Sequence, residues 1–229
     1  MMRLLVSVRS VDEALLAAGA GADFIDLKEP GLGALGGLPV ASIATIVAAL
    51  RGQRITLPVS ATIGDLPMHA LGDILARVSA VGASGVDYVK VGITRDPKAS
   101  AVLDALAGCG ATVVPVFIAD HGLDETLVAR AAALGFPALM ADTADKRAGN
   151  LFDVVPVAAL RRFIAAARAA GKWVGLAGAL QRSHAAALAD LAPDFAGFRS
   201  AVCLGGRSQA LDASCLRDLV DAMRQVVPA

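Results

Sequence analysis

Three lysines stand where an amine could meet a carbonyl. Lys28 ends the run Phe24-Ile25-Asp26-Leu27-Lys28, Lys90 ends Val86-Asp87-Tyr88-Val89-Lys90, and Lys146 follows Asp142 by four residues. The chain holds five lysines against sixteen arginines, so lysine is not its default cation. Arginine keeps its proton near neutral pH, whereas a buried or crowded lysine can lose it and become a nucleophile or a base. Crowded ammonium groups repel one another, which lowers the pKa of one and leaves it partly neutral, as a Schiff base requires. Asp26 and Asp142 would keep the remaining lysines charged and could shuttle protons at the carbon next to a carbonyl. The chemistry this predicts is carbanion or enamine chemistry. The two other lysines are different: Lys98 follows the helix-starting Pro97, and Lys172 precedes a strand at the opposite end, so both read as surface residues.

Such groups need a frame. Short β-rich apolar runs at 4–8, 24–28, 56–62, 86–91, 112–117, 138–142, 173–178 and 195–200 alternate with helical stretches. The helices fall near 11–20, 39–50, 67–81, 97–108, 123–134, 156–170, 183–191 and 212–226. Eight strand–helix units in 229 residues predict a single-domain (β/α)8 TIM barrel spanning 1–229. Ser10-Val11-Asp12-Glu13 reads as a capping box, Pro39, Pro67, Pro97 and Pro156 sit at helix starts, and Gly82, Gly110, Gly135 and Gly171 sit at helix ends. A doubly wound open sheet is the competitor, but Ser7-Val8-Arg9-Ser10 after the first strand is no dinucleotide-binding glycine loop.

Strand alternation then sorts the side chains. Asp26 and Lys28 share one face and Ile25 and Leu27 the other, so the apolar pair would pack outward on helices and the charged pair inward. Lys90 and Asp142 fall at the same C-terminal rim, where barrel enzymes build their active sites. Barrels also tend to bind a phosphate after strands seven and eight. Gly178 and Ser200 suit that role, with Arg199 or Arg207 adding charge. His121, in Asp120-His121-Gly122, could be a rim acid or base, but a loop histidine beside a helix start is more often solvated.

Bulk composition excludes several other classes. The chain is 56% hydrophobic, carries zero formal net charge and has no basic block interleaved with aromatics, which argues against nucleic acid. No apolar run is long enough for a membrane span, and the N-terminus lacks the features of a signal peptide. The odd cysteine count without CxxC, and three histidines without ligand spacing, argue against disulfides and zinc and favour a reduced, cytoplasmic protein. Alanine-rich barrel helices often pack between subunits, which leaves a homo-oligomer open.

Asp23-Phe-Ile-Asp-Leu-Lys-Glu-Pro-Gly-Leu-Gly-Ala-Leu-Gly36 resembles the (5-formylfuran-3-yl)methyl phosphate synthases of methanofuran biosynthesis. So do Asp87-Tyr-Val-Lys-Val-Gly92, the Asp142–Lys146 spacing and Gly197-Phe-Arg-Ser-Ala-Val-Cys203. The matches run in order over nearly the whole chain. The resemblance implies a barrel lyase that condenses two molecules of glyceraldehyde 3-phosphate, with loss of phosphate and water, and needs no metal or redox cofactor. By position, Lys28 would be the Schiff-base lysine, with Asp26, Lys90, Asp142 and Lys146 as acid–base partners. The alternatives are an aldolase or sugar-phosphate isomerase on the same barrel, or a phosphometabolite-binding protein without catalysis.

Overall fold

The computed structural model describes residues 2–145 and 149–225. Eight parallel strands close a barrel in chain order. They are β1 (Arg3–Val8), β2 (Phe24–Leu27), β3 (Val59–Thr62), β4 (Tyr88–Ile93), β5 (Val113–Ile118), β6 (Ala138–Asp142), β7 (Trp173–Leu176) and β8 (Phe195–Phe198). Between them run α1 (Val11–Gly19), α2 (Val40–Gly52), α3 (Leu71–Gly82), α4 (Ala99–Ala107), α5 (Glu125–Ala133), α6 (Leu151–Val154), α7 (Val157–Ala169) and α8 (Ala185–Leu191), and α9 (Ala213–Gln225) follows β8.

Two apolar layers follow from the strand alternation. Outward residues such as Leu4, Val6, Ile25, Leu27, Val89 and Val91 pack on the helices, whereas Leu5, Val114, Val116, Met140 and Phe195 fill the interior. Ile25 and Leu27 are fully buried in the outer layer and Asp26 is buried inside, as the alternation requires. The pairing of Ser7 with Asp26, Asp26 with Ser60, and Ser60 with Tyr88 sets one polar layer, and Thr62 pairs with Lys90 above it.

The boundaries shift where backbone chemistry interferes. β3 starts at Val59, after Pro58, which has no N–H for the ladder. β7 and β8 stop before Gly178 and Ser200, which puts both residues in rim loops. α3 begins at Leu71 because Pro67 first makes a turn, its carbonyl accepting from the Ala70 N–H at 3.0 Å. Ser10 caps α1, accepting the Glu13 N–H at 3.2 Å. Glu13, however, takes the Arg9 N–H at 2.9 Å and not that of Ser10, because its carboxylate is drawn to Arg199. Among the described residues, no helix is long and apolar enough to cross a membrane.

Candidate active site

The floor of the site is a buried ion pair. Lys90 Nζ lies 2.8 Å from Asp26 Oδ1, which also accepts from the Ser60 hydroxyl at 2.6 Å, while Oδ2 accepts from the Ser7 hydroxyl at 3.1 Å. Burial favours a neutral Asp26, but the charges of Lys90 and Lys28 and the bonds from Lys90 and Ser60 outweigh it and hold the carboxyl below the ordinary aspartate range. Burial pushes Lys90 below the ordinary lysine value, and the Lys28 charge adds to that, against the opposing pull of Asp26. The pair is therefore tight and buried.

Lys28 is held differently. Its Nζ sits 3.8 Å from Asp142 Oδ2 and 3.4 Å from the Ala34 carbonyl, both long for a strong bond. Asp142 is itself oriented by the Thr143 N–H, 2.7 Å from Oδ1. The Lys28 ammonium is thus near a carboxylate and a carbonyl without being clamped by either. Lys146, the third lysine of the expected set, lies outside the described residues.

A tongue, residues 33–37, roofs Lys28. The Glu29 N–H donates to the Gly36 carbonyl at 2.8 Å, the Thr62 hydroxyl donates to the same oxygen at 3.0 Å, and Leu35 is buried in the barrel interior. Asp65 secures the tongue from the β3 loop, accepting the Leu35 N–H at 3.3 Å. Gly33 makes this approach possible: its φ is +108°, and a Cβ there would fall 2.0 Å from Asp65 Oδ2. Burial raises the Asp65 carboxyl above its ordinary range, although the Leu35 and Ala34 N–H groups and the Lys28 charge pull the other way.

A narrow cleft above Lys28 is lined by Ser7, Asp26, Lys28, Asp142, Gly178 and Ser200, with Arg199 and Arg207. Gly178 has φ +116°, and a Cβ there would press on Thr143 Oγ1 at 2.9 Å, so the β7 loop can lie directly on the β6 loop. The expected role of Arg199 meets a different geometry. Its Nε donates to the Arg207 carbonyl, Nη1 to the Ser7 carbonyl and Glu13 Oε2, and Nη2 to Glu13 Oε1 and the Gln209 carbonyl. All five N–H groups of that guanidinium are spent on protein. Among the described residues the Arg207 guanidinium donates one hydrogen bond, from Nη2 to the Gly33 carbonyl at 2.8 Å. The segment after β8 is only a three-residue 3₁₀ turn, Ser200–Val202, so a long helix does not supply the positive end there.

Several positioning groups escape a sequence reading. Ser7 and Ser60 are recognisable only once β1, β2 and β3 are in register. Asp120 accepts the Ala144 and Asp145 N–H groups at 2.6 and 2.7 Å, which fastens the loop after Asp142. Its neighbour His121 is exposed and contributes a carbonyl to Arg95 Nη1 at 2.7 Å. A second cavity opens at the opposite end of the barrel and reaches Lys90 and Ser60 from below, but its walls are mostly apolar and aromatic. It offers no cradle for a phosphate. Among the described residues, no group of three His, Cys, Asp or Glu is arranged to hold a metal ion.

Known proteins share both the sequence and the fold. The family model for 4-HFC-P synthase matches residues 4–220. A relative from Methylorubrum extorquens is 40% identical over 223 residues, covering 97% of this chain and 92% of that protein. The (5-formylfuran-3-yl)methyl phosphate synthase of Archaeoglobus fulgidus is 32% identical, covering 97% of this chain and 99% of its own. Among solved structures, phosphoribosyl anthranilate isomerase from Thermus thermophilus superimposes with a TM-score of 0.67 at 18% identity, over 97% of this chain and 98% of that one. The 3-hexulose-6-phosphate synthase of Salmonella typhimurium does so with a TM-score of 0.65 at 18% identity, over 98% and 99%. Likeness at that level of identity shows the barrel alone, but the sequence match runs through all eight strands, and the chain belongs to the 4-HFC-P synthase family.

Proposed function

We propose that this protein condenses two molecules of glyceraldehyde 3-phosphate into (5-formylfuran-3-yl)methyl phosphate, releasing one phosphate and two waters. The observation that carries the reading is the contrast between the two described rim lysines. Lys28 is loosely held and lines the cleft that contains Gly178, Ser200 and Arg207, while Lys90 is paired beneath it with Asp26. The names of the relatives supply the product.

In this reading the Lys28 amine bonds to a triose carbonyl carbon and expels water. Loss of a proton from the neighbouring carbon then gives an enamine, and Asp142 and the Asp26–Lys90 pair are within reach of such transfers. Phosphate leaves from the carbon beyond, and that carbon, now the end of an enol, bonds to the C2 carbonyl carbon of the second triose phosphate, isomerised to its ketone form. The free hydroxyl of the second triose closes the ring on the first, two waters are lost to make the furan, and hydrolysis of the imine returns Lys28 and the aldehyde. Lys146 is proposed as a further acid–base group on the strength of its place in the sequence. Gly178 and Ser200 would hold one substrate phosphate by the loop after β7 and the turn after β8.

Borohydride trapping with glyceraldehyde 3-phosphate, followed by peptide mapping, tests the nucleophile. The expected adduct is on Lys28, and Lys28→Arg, which keeps charge but cannot form an imine, should lose the adduct and at least about three orders of magnitude in kcat. Near-normal turnover in that variant would reject the assignment. Furan absorbance rising together with released phosphate distinguishes this condensation from an aldolase or isomerase on the same residues.

A further inference from the structure

We infer that Arg207 grips a substrate phosphate and couples its arrival to the tongue that roofs Lys28. The inference rests on the triose-phosphate reading above and assigns the residue that the phosphate cleft still needs. That cleft contains two arginines, and one of them is fully spent: every N–H of Arg199 is bonded to Glu13 or to a backbone carbonyl. Arg207 is half-buried, lines the same cleft and, among the described residues, its guanidinium donates a single hydrogen bond, to the Gly33 carbonyl. A guanidinium carries five donors in a planar fork, so the remaining N–H groups can meet a phosphate bidentately without breaking that bond.

The bond to Gly33 carries the second half of the inference. Gly33 begins the tongue, and the next residue, Ala34, presents its carbonyl to Lys28 Nζ at 3.4 Å. Gly33 also lies against Asp65, whose carboxylate holds the Leu35 N–H. Arg207, from the loop after β8, and Asp65, from the loop after β3, therefore both hold the start of the tongue. A dianion drawn against Arg207 would fix the guanidinium, and with it the Gly33 carbonyl, the Ala34 carbonyl and the setting of Lys28. A ligand that orders a segment in this way shifts its opening equilibrium only by its differential affinity for the closed state, so the coupling is measurable.

Inorganic phosphate is the probe, titrated into the full chain by calorimetry, with amide hydrogen exchange followed over residues 31–37. In the unsubstituted protein, phosphate should bind and slow exchange in that segment severalfold. Arg207→Met should weaken phosphate binding tenfold or more and abolish the slowing, and Arg207→Lys should restore part of the affinity but not the slowing. Turnover should respond mainly as a raised KM in both variants. Unaltered phosphate affinity in Arg207→Met, or a tongue whose exchange ignores phosphate in the unsubstituted protein, would overturn the inference. Lys28→Arg keeps the two readings separate: it should retain the phosphate response even if no adduct is ever trapped.

Discussion

At the scale of single residues, the site divides its charges by how tightly each is held. Asp26 is gripped by Lys90, Ser60 and Ser7 and stays ionised, whereas burial lifts the Asp65 carboxyl above its ordinary range. As pH falls, Asp65 therefore takes up a proton before Asp26, removing an anion beside Lys28. Asp65→Asn retains one acceptor for the Leu35 and Ala34 N–H groups and deletes the charge. Its folding stability should fall by about 1–3 kcal/mol, while kcat should fall on the order of tenfold and lose its sensitivity to acid. An acid limb identical to that of the parent protein would remove Asp65 from the set. The opposite arrangement holds at Lys28, where weak contacts leave an amine able to approach a carbonyl.

At the scale of elements, the loops after the strands do the positioning, and each is tied by a residue from a neighbouring loop. Asp120, after β5, fastens the loop after β6 through two N–H groups of consecutive residues, Ala144 and Asp145. Bonds from N–H to a carboxylate are stronger than neutral ones, and here they fix the direction in which the chain leaves Asp142. Asp120→Ala should leave the global urea midpoint close to that of the parent protein, because the loop can open locally without unfolding the barrel. Turnover should drop about tenfold, with faster amide exchange at residues 143–145. Loss of activity without any change in that exchange would point to a direct chemical role for Asp120.

At the scale of the whole molecule, the buried pair between Glu13 and Arg199 ties the start of α1 to the loop after β8, where the barrel closes. Arg199 Nη1 lies 2.6 Å from Glu13 Oε2, and both side chains are under a tenth exposed. Burial raises the Glu13 carboxyl, but the Arg199 hydrogen bond, the Arg9 N–H and the Arg199 charge outweigh it, so its folded pKa lies below the ordinary 4.5. For an acid with a depressed folded pKa, the stabilisation is present above the unfolded value and is lost as pH falls through the folded one. Glu13→Gln, which leaves a buried guanidinium unpaired, should cost about 3–5 kcal/mol near neutral pH. Urea unfolding from pH 7 downward should show that gap narrowing below about pH 4.5. A gap that persists unchanged at pH 3 would assign the loss to packing and not to charge.

Periodicity along the chain is sufficient for the barrel and its rim. Alternation along Phe24–Lys28 is enough to put Asp26 and Lys28 on one face, because a strand's period of two leaves no other choice. The same reasoning orients Lys90 and Asp142, and the regular spacing of strand and helix leaves few topologies besides a closed parallel sheet. Which polar groups meet across strands and loops far apart in the chain emerges only when the barrel closes. Nothing near Arg199 announces that Glu13, 186 residues earlier, will take its charge, or that Arg207 will be the arginine left with donors to spare. Ser7, Ser60, Asp65 and Asp120 are equally silent until the register of neighbouring strands is set. Local periodicity fixes the direction of a side chain, whereas its partner is fixed by closure of the barrel, and partners determine which charges are spent on structure and which remain for a substrate.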